Sequence, residues 1–200
     1  MPGLRERLRY IKLCMCCKPQ DDEEPDKYVN DISKQTSILS DPNSFTFQKV
    51  AALKNIGLSS FTSGKHFKST LNVVLPLLVE IINDKESEEA LVIGALQTLA
   101  TAALRLREVK AVIEDDTGLL KRLIALIDES KILNISRWSC YCLLLALVDD
   151  YDLKVKLRDY DGLHKILAKA ANHPRPWVGW GCNAAEVILK IIGLRDVDAE

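Results

Sequence analysis

An all-α fold, arranged as a superhelical solenoid of about three helical units, is predicted by three features of this 200-residue chain. Leu75-Pro-Leu-Leu-Val-Glu-Ile-Ile82, Leu119-Leu-Lys-Arg-Leu-Ile-Ala-Leu126 and Leu163-His-Lys-Ile-Leu-Ala-Lys-Ala170 carry apolar residues at the same offsets. Their spacing defines a repeat of about 44 residues over 65–194. Gly118 and Gly162 stand in equivalent places just before two of these segments, where a sharp turn between helices accepts a residue without a Cβ. Each unit then leaves a hydrophobic face for its neighbour to cover, and the stack exposes a long surface suited to binding partners.

The elements follow in chain order. Residues 1–18 place Leu4, Leu8, Ile11 and Met15 at helical spacing with Arg5, Arg9 and Lys12 beside them, the pattern of a short basic amphipathic helix. The composition then inverts to Asp21-Asp-Glu-Glu24-Pro25-Asp26, and the polar stretch to Asn43 lacks sustained periodicity, so 19–43 reads as a flexible acidic and polar linker. After the Asp41-Pro-Asn-Ser44 turn, Phe47, Val50, Ala51, Leu53 and Leu58 predict the last helix of an incomplete unit. That helix would cap, in part, the N-terminal end of a helical domain over 44–200. The first full unit takes a short helix around Phe67, then helices over 71–82 and 88–106, with Asp84-Lys-Glu-Ser87 as the polar break. The second repeats the plan over 109–114, 119–127 and 135–148, and the third over 153–158, 163–171 and 177–192.

Val109-Lys-Ala-Val-Ile-Glu-Asp-Asp-Thr-Gly118-Leu-Leu-Lys-Arg-Leu-Ile-Ala-Leu-Ile127 closely resembles the armadillo repeat, whose pattern is a short helix, a glycine turn and a Leu-rich helix. Gly94-Ala-Leu-Gln-Thr-Leu-Ala100 looks like a third armadillo helix. The resemblance covers about two-thirds of the chain and speaks to fold, since the fold hosts many unrelated roles. It implies a right-handed superhelix whose third helices line a concave groove. The first unit has Val74 where the others carry glycine, which implies a wider turn or a degenerate first helix there. In armadillo proteins that carry peptides, the third helices present Trp and Asn four residues apart. Here Trp138 is followed at that distance by Cys142 and Trp180 by Ala184, so that ladder is absent.

Several function classes are disfavoured. A formal charge of −1 lacks the excess of Lys and Arg that displaces phosphate counterions, so nucleic acid is not an expected partner. The longest apolar run, 138–148, is bounded by Arg137 and Asp149-Asp150 and falls short of the roughly 20 residues of a spanning helix. The N-terminus has no apolar core followed by a small-residue cleavage site, which points to the cytoplasm. There the six cysteines would be thiols. No phosphate loop, nucleophile elbow or metalloprotease helix occurs, and His66, His164 and His173 lie on different units without repeated acidic partners. Catalysis, a metal and a cofactor are therefore not expected. Asp115-Asp116 and Asp149-Asp150-Tyr-Asp152 read as equivalent helix caps between units.

Two places are candidate sites. Cys14, Cys16 and Cys17 follow the basic helix, a setting for S-acylation in which Arg5, Arg9 and Lys12 would face an anionic membrane. Pro174-Arg-Pro-Trp177-Val-Gly-Trp-Gly181 puts two indoles and two glycines beside a proline turn, so Trp177, Trp180, Asn183 and Arg175 either contact a protein partner or cap the last unit. The expected function is a non-catalytic adaptor or scaffold binding a peptide or protein. The alternatives are an S-acylated scaffold held peripherally at a membrane and a small regulatory subunit of an oligomeric complex.

Overall fold

The structure is a computed structural model that describes residues 25–62, 65–114, 118–148 and 150–193, with backbone alone for 25–28, 65 and 66. The basic arm with Arg5, Arg9, Lys12, Cys14, Cys16 and Cys17 lies outside the described residues, as do residues 19–24 and 115–117 and Asp149. The described chain is helical: α1 (Pro25–Ser40), α2 (Thr46–Thr62), α3 (Lys65–Lys68), α4 (Leu71–Asn83), α5 (Glu89–Arg105), α6 (Arg107–Glu114), α7 (Leu119–Glu129), α8 (Leu133–Leu147), α9 (Tyr151–Arg158), α10 (Leu163–Ala171) and α11 (Ala184–Ile191). No strand occurs among the described residues.

Helix α1 corrects the linker expected over 19–43. Pro25 opens it, where a missing N–H costs nothing and the fixed φ already suits the helix. Val29, Ile32, Thr36 and Leu39 form one stripe at helical spacing, and Ile32, Thr36 and Leu39 are buried. The stripe is hard to see in sequence because one member is polar; Thr36 enters the interior with its hydroxyl donating to the Ser33 carbonyl at 2.9 Å. A second correction concerns the last helix. It begins at Ala184, seven residues later than 177, because Gly179 turns at φ +82° and Asn183 caps the new helix by accepting from the Glu186 N–H at 3.2 Å.

The neighbours of each helix recur along the chain. Helix α2 packs along α5, α5 along α8, and α8 along α11; in a second row, α1 lies by α4, α4 by α7, and α7 by α10. Of the short helices, α6 bridges these rows, touching α5, α7 and α8, while α3 lies by α1 and α9 by α8. Small residues permit the closest approaches. Gly94 sits under Leu53, where a Cβ would come 3.0 Å from Leu53 Cδ1, and Gly57 faces Thr98. Thr98 Oγ1 donates to the Leu53 carbonyl at 2.8 Å, and one unit later Cys142 Sγ makes the same kind of bond to the Leu96 carbonyl at 3.3 Å.

One hydrophobic core runs through these rows from Ile32 to Ile192. Basic side chains seal helix ends at its edge. Arg122 Nε donates to the Ile82 carbonyl at 2.9 Å, Arg158 Nε to Ile192 at 2.9 Å and Lys110 Nζ to Val148 at 3.0 Å, placing positive charge at C-terminal carbonyls that lack helical donors. Gly118 and Gly162 adopt φ of +78° and +75° before α7 and α10, the turns read from the sequence. In the first unit α3 is a single four-residue turn and α4 starts at Leu71, so Val74 lies inside a helix and needs no left-handed conformation. No described helix is long and apolar enough to cross a membrane.

Candidate functional site

Helix α8 presents Trp138 and Tyr141 half-buried on one side while Ser139, Cys140 and Cys142 go into the core. The connection from α10 to α11 then folds back so that Trp180 lies against them. The Trp138 and Trp180 ring centroids are 4.7 Å apart at 59°, Tyr141 meets Trp138 edge-on at 5.7 Å, and Trp177 meets Trp180 edge-on at 5.6 Å. Tilted and edge-on pairs at these distances let the positive ring edge of one residue meet the negative face of the next. The cluster walls a pocket of about 220 Å³ completed by Ala100, Thr101 and Leu104 of α5 and by Gly179 and Gly181. At neither glycine would a Cβ meet anything within 4 Å, so both stretches of backbone border open space. The volume is below the several hundred Å³ typical of sites for drug-sized molecules and suits one inserted side chain.

Arg137 positions this wall. It is 7% exposed, and its Nη2 donates to the Arg175 carbonyl at 2.8 Å and the Pro176 carbonyl at 2.9 Å while the guanidinium lies 5.2 Å over the Trp177 ring. Nε finds no acceptor, and no carboxylate pairs with Arg137 among the described residues. Burial, and then the nearby Arg175 guanidinium, pulls its pKa below the ordinary arginine value. Trp177 Nε1 reaches the Ala170 carbonyl at 3.4 Å, and His173 Nδ1 accepts from the Arg175 N–H at 3.1 Å. Burial raises the Tyr141 hydroxyl above its usual pKa and pushes the Cys140 and Cys142 thiols far above theirs, so neither thiol is ionised or reactive near neutrality.

The four residues singled out in this segment therefore part company. Trp180 lines the pocket, Trp177 buttresses it, and Arg175 is exposed and does not line it. Asn183 is used otherwise than expected: Oδ1 caps α11 and Nδ2 donates to the Ala171 carbonyl at 2.9 Å, so its amide holds the loop instead of facing a partner. Sequence reasoning missed Tyr141 and Arg137. Arg137 was legible only as the border of an apolar run, although a lone cation placed against a Trp and flanked by core residues is itself a signal.

Elsewhere, Glu114, Asp150 and Asp152 gather near Lys156. Asp150 caps α9 by accepting from the Leu153 N–H at 2.9 Å, the role expected of that acidic break. Burial first, then Asp150 and Asp152, raise the Glu114 carboxyl above the ordinary range, with Lys156 opposing. No group of three or more His, Cys, Asp or Glu is placed to hold a metal among the described residues. Compared with known proteins, the chain matches no protein-family model, no curated protein and no solved structure.

Proposed function

We propose that this chain is a non-catalytic binding module with an armadillo-like solenoid arrangement, and that it holds a protein or peptide partner through the Trp138, Tyr141 and Trp180 pocket. The observation that carries the reading is the pocket itself: three half-buried aromatic rings around about 220 Å³ of open space, fixed in position by a buried arginine. Such a pocket takes an anchoring side chain, and clustered Trp and Tyr dominate binding energy in protein interfaces. The solenoid arrangement is supported by the recurrence of helix neighbours along two rows and by left-handed glycine turns at Gly118 and Gly162. The cytoplasm suits the buried thiols Cys140 and Cys142.

The test is selection of a random peptide library on the full chain, with counter-selection on Trp180→Ala. Peptides that bind the wild type and lose at least about 30-fold in affinity on Trp180→Ala are expected, the loss of roughly 2 kcal/mol that marks an interface anchor. Equal enrichment on both proteins, with matched urea unfolding midpoints, would remove the pocket from the binding surface.

A further inference from the structure

A second concavity lies on another face of the molecule, away from the aromatic cluster. Leu71, Leu75, Pro76 and Val79 of α4 and Val112 of α6 form an almost wholly apolar groove of about 710 Å³, with Lys68, Glu80 and Glu108 at its rim. Leu71 to Val79 spans about 12 Å of helix at 1.5 Å per residue. Pro76 carries no N–H, so the Asn72 carbonyl, also on the groove wall, takes no helical bond from position 76. The groove thus offers a two-turn apolar floor with charged side chains at its rim. Lys68 pairs with Glu108, which leaves Glu80 as the rim charge with no ion-pair partner among the described residues.

The chain itself contains a segment that fits. Leu4, Leu8 and Ile11 make an apolar stripe about 10 Å long if helical, and Met15 extends it by one turn. Arg5, Arg7, Arg9 and Lys12 against Glu6 give this segment a net positive charge, complementary to Glu80. The connection is short enough. The described chain starts at Pro25 in α1, which packs on α3 and α4, the helices that carry Lys68 and the groove floor. Ten residues from Met15 to Pro25 reach up to roughly 33 Å. A tether of that length holds its end at an effective concentration on the order of millimolar, so even a weak apolar contact is populated.

We propose that residues 4–15, which lie outside the described residues, dock as an amphipathic helix in the α4–α6 groove of the same chain, with the Leu4, Leu8, Ile11 stripe on Leu75, Pro76, Val79 and Val112. Docking covers the same stripe that would enter a lipid surface, so the arm is either on the groove or on a membrane. The inference is independent of the aromatic pocket.

Disulfide capture in the full-length chain tests it. Cys16, Cys17 and Cys182 are replaced by Ser, Cys14 is kept, and a second cysteine is placed at one end of the groove (Asn72→Cys) or the other (Val79→Cys). Val73→Cys, on a different face of the same helix and 51% exposed, is the control. Because a disulfide demands Cα atoms within about 7 Å, capture reports docking and not mere reach. Monomeric disulfide forming at least tenfold faster at position 72 or 79 than at 73, and slowed to the control rate by Leu8→Asp with Ile11→Asp, is the expected result. Equal rates at all three positions, insensitivity to the aspartates, or a product that is only dimeric would overturn it.

Discussion

Arg137 carries a full charge into an interior where the described residues give it two carbonyls and a ring but no carboxylate. Removing the side chain takes two charge-assisted hydrogen bonds from the loop before α11. Arg137→Ala should lower stability by about 1.5–3 kcal/mol in urea unfolding and make Trp177 and Trp180 more accessible to acrylamide. A stability within experimental error of wild type would mean that water replaces the clamp. Glu114 offers the opposite case, a residue whose charge the fold resists. A carboxyl whose pKa is raised by folding binds its proton more tightly when folded. Its contribution is complete below the ordinary glutamate value of 4.5 and is lost as pH rises through the higher folded value. Glu114→Gln should therefore raise the urea midpoint at pH 7, and the difference from wild type should vanish at pH 4; a midpoint lower than wild type at pH 7 would contradict this.

At the scale of elements, the left-handed turns at Gly118 and Gly162 set the angle between short and long helices. A Cβ at either would touch nothing within 4 Å, so the cost of Gly118→Ala or Gly162→Ala is conformational: about 1–2 kcal/mol each, additive in the double variant. Calorimetry or urea unfolding of the three variants checks this. These turns were readable because glycine has a local reason to be there, and α10 was readable to its last residue because Leu163, Leu167 and their neighbours repeat α7. Helix α1 was not, since its stripe includes Thr36 and most of its other residues are polar, and only packing on α2 and α4 makes it helical. The start of α11 was hidden by Trp177, Val178, Trp180 and Cys182, which continue the apolar pattern without being helical. The Asn183-Ala-Ala-Glu186 cap was the signal that could have placed it.

The whole molecule gains α1 as part of its body, which changes where the chain can be cut. Ile32 and Leu39 are 2% and 7% exposed and belong to the common core. Removing residues 1–43 should cost about 3–6 kcal/mol more than removing residues 1–24, from the burial of two large aliphatic side chains, and urea unfolding of both truncations decides it. Equal stabilities would return α1 to the status of a linker. The aromatic pocket was only half legible at this scale: Trp177 and Trp180 stood out in sequence, while Trp138, Tyr141, Thr101 and Leu104 join them only because α5, α8 and the loop before α11 meet in space. A reading unit by unit does not bring together residues from two units and a connection.

The Arg137 clamp grips main-chain oxygens of Arg175 and Pro176 and leaves the Arg175 side chain in solvent. Position and identity are thereby separated along this loop. The exposed side chains at 175 and 178 can be exchanged without disturbing the oxygens that hold the loop. Loss of Arg137, by contrast, would release the loop itself, since its two hydrogen bonds run to main-chain oxygens that every sequence at these positions still carries.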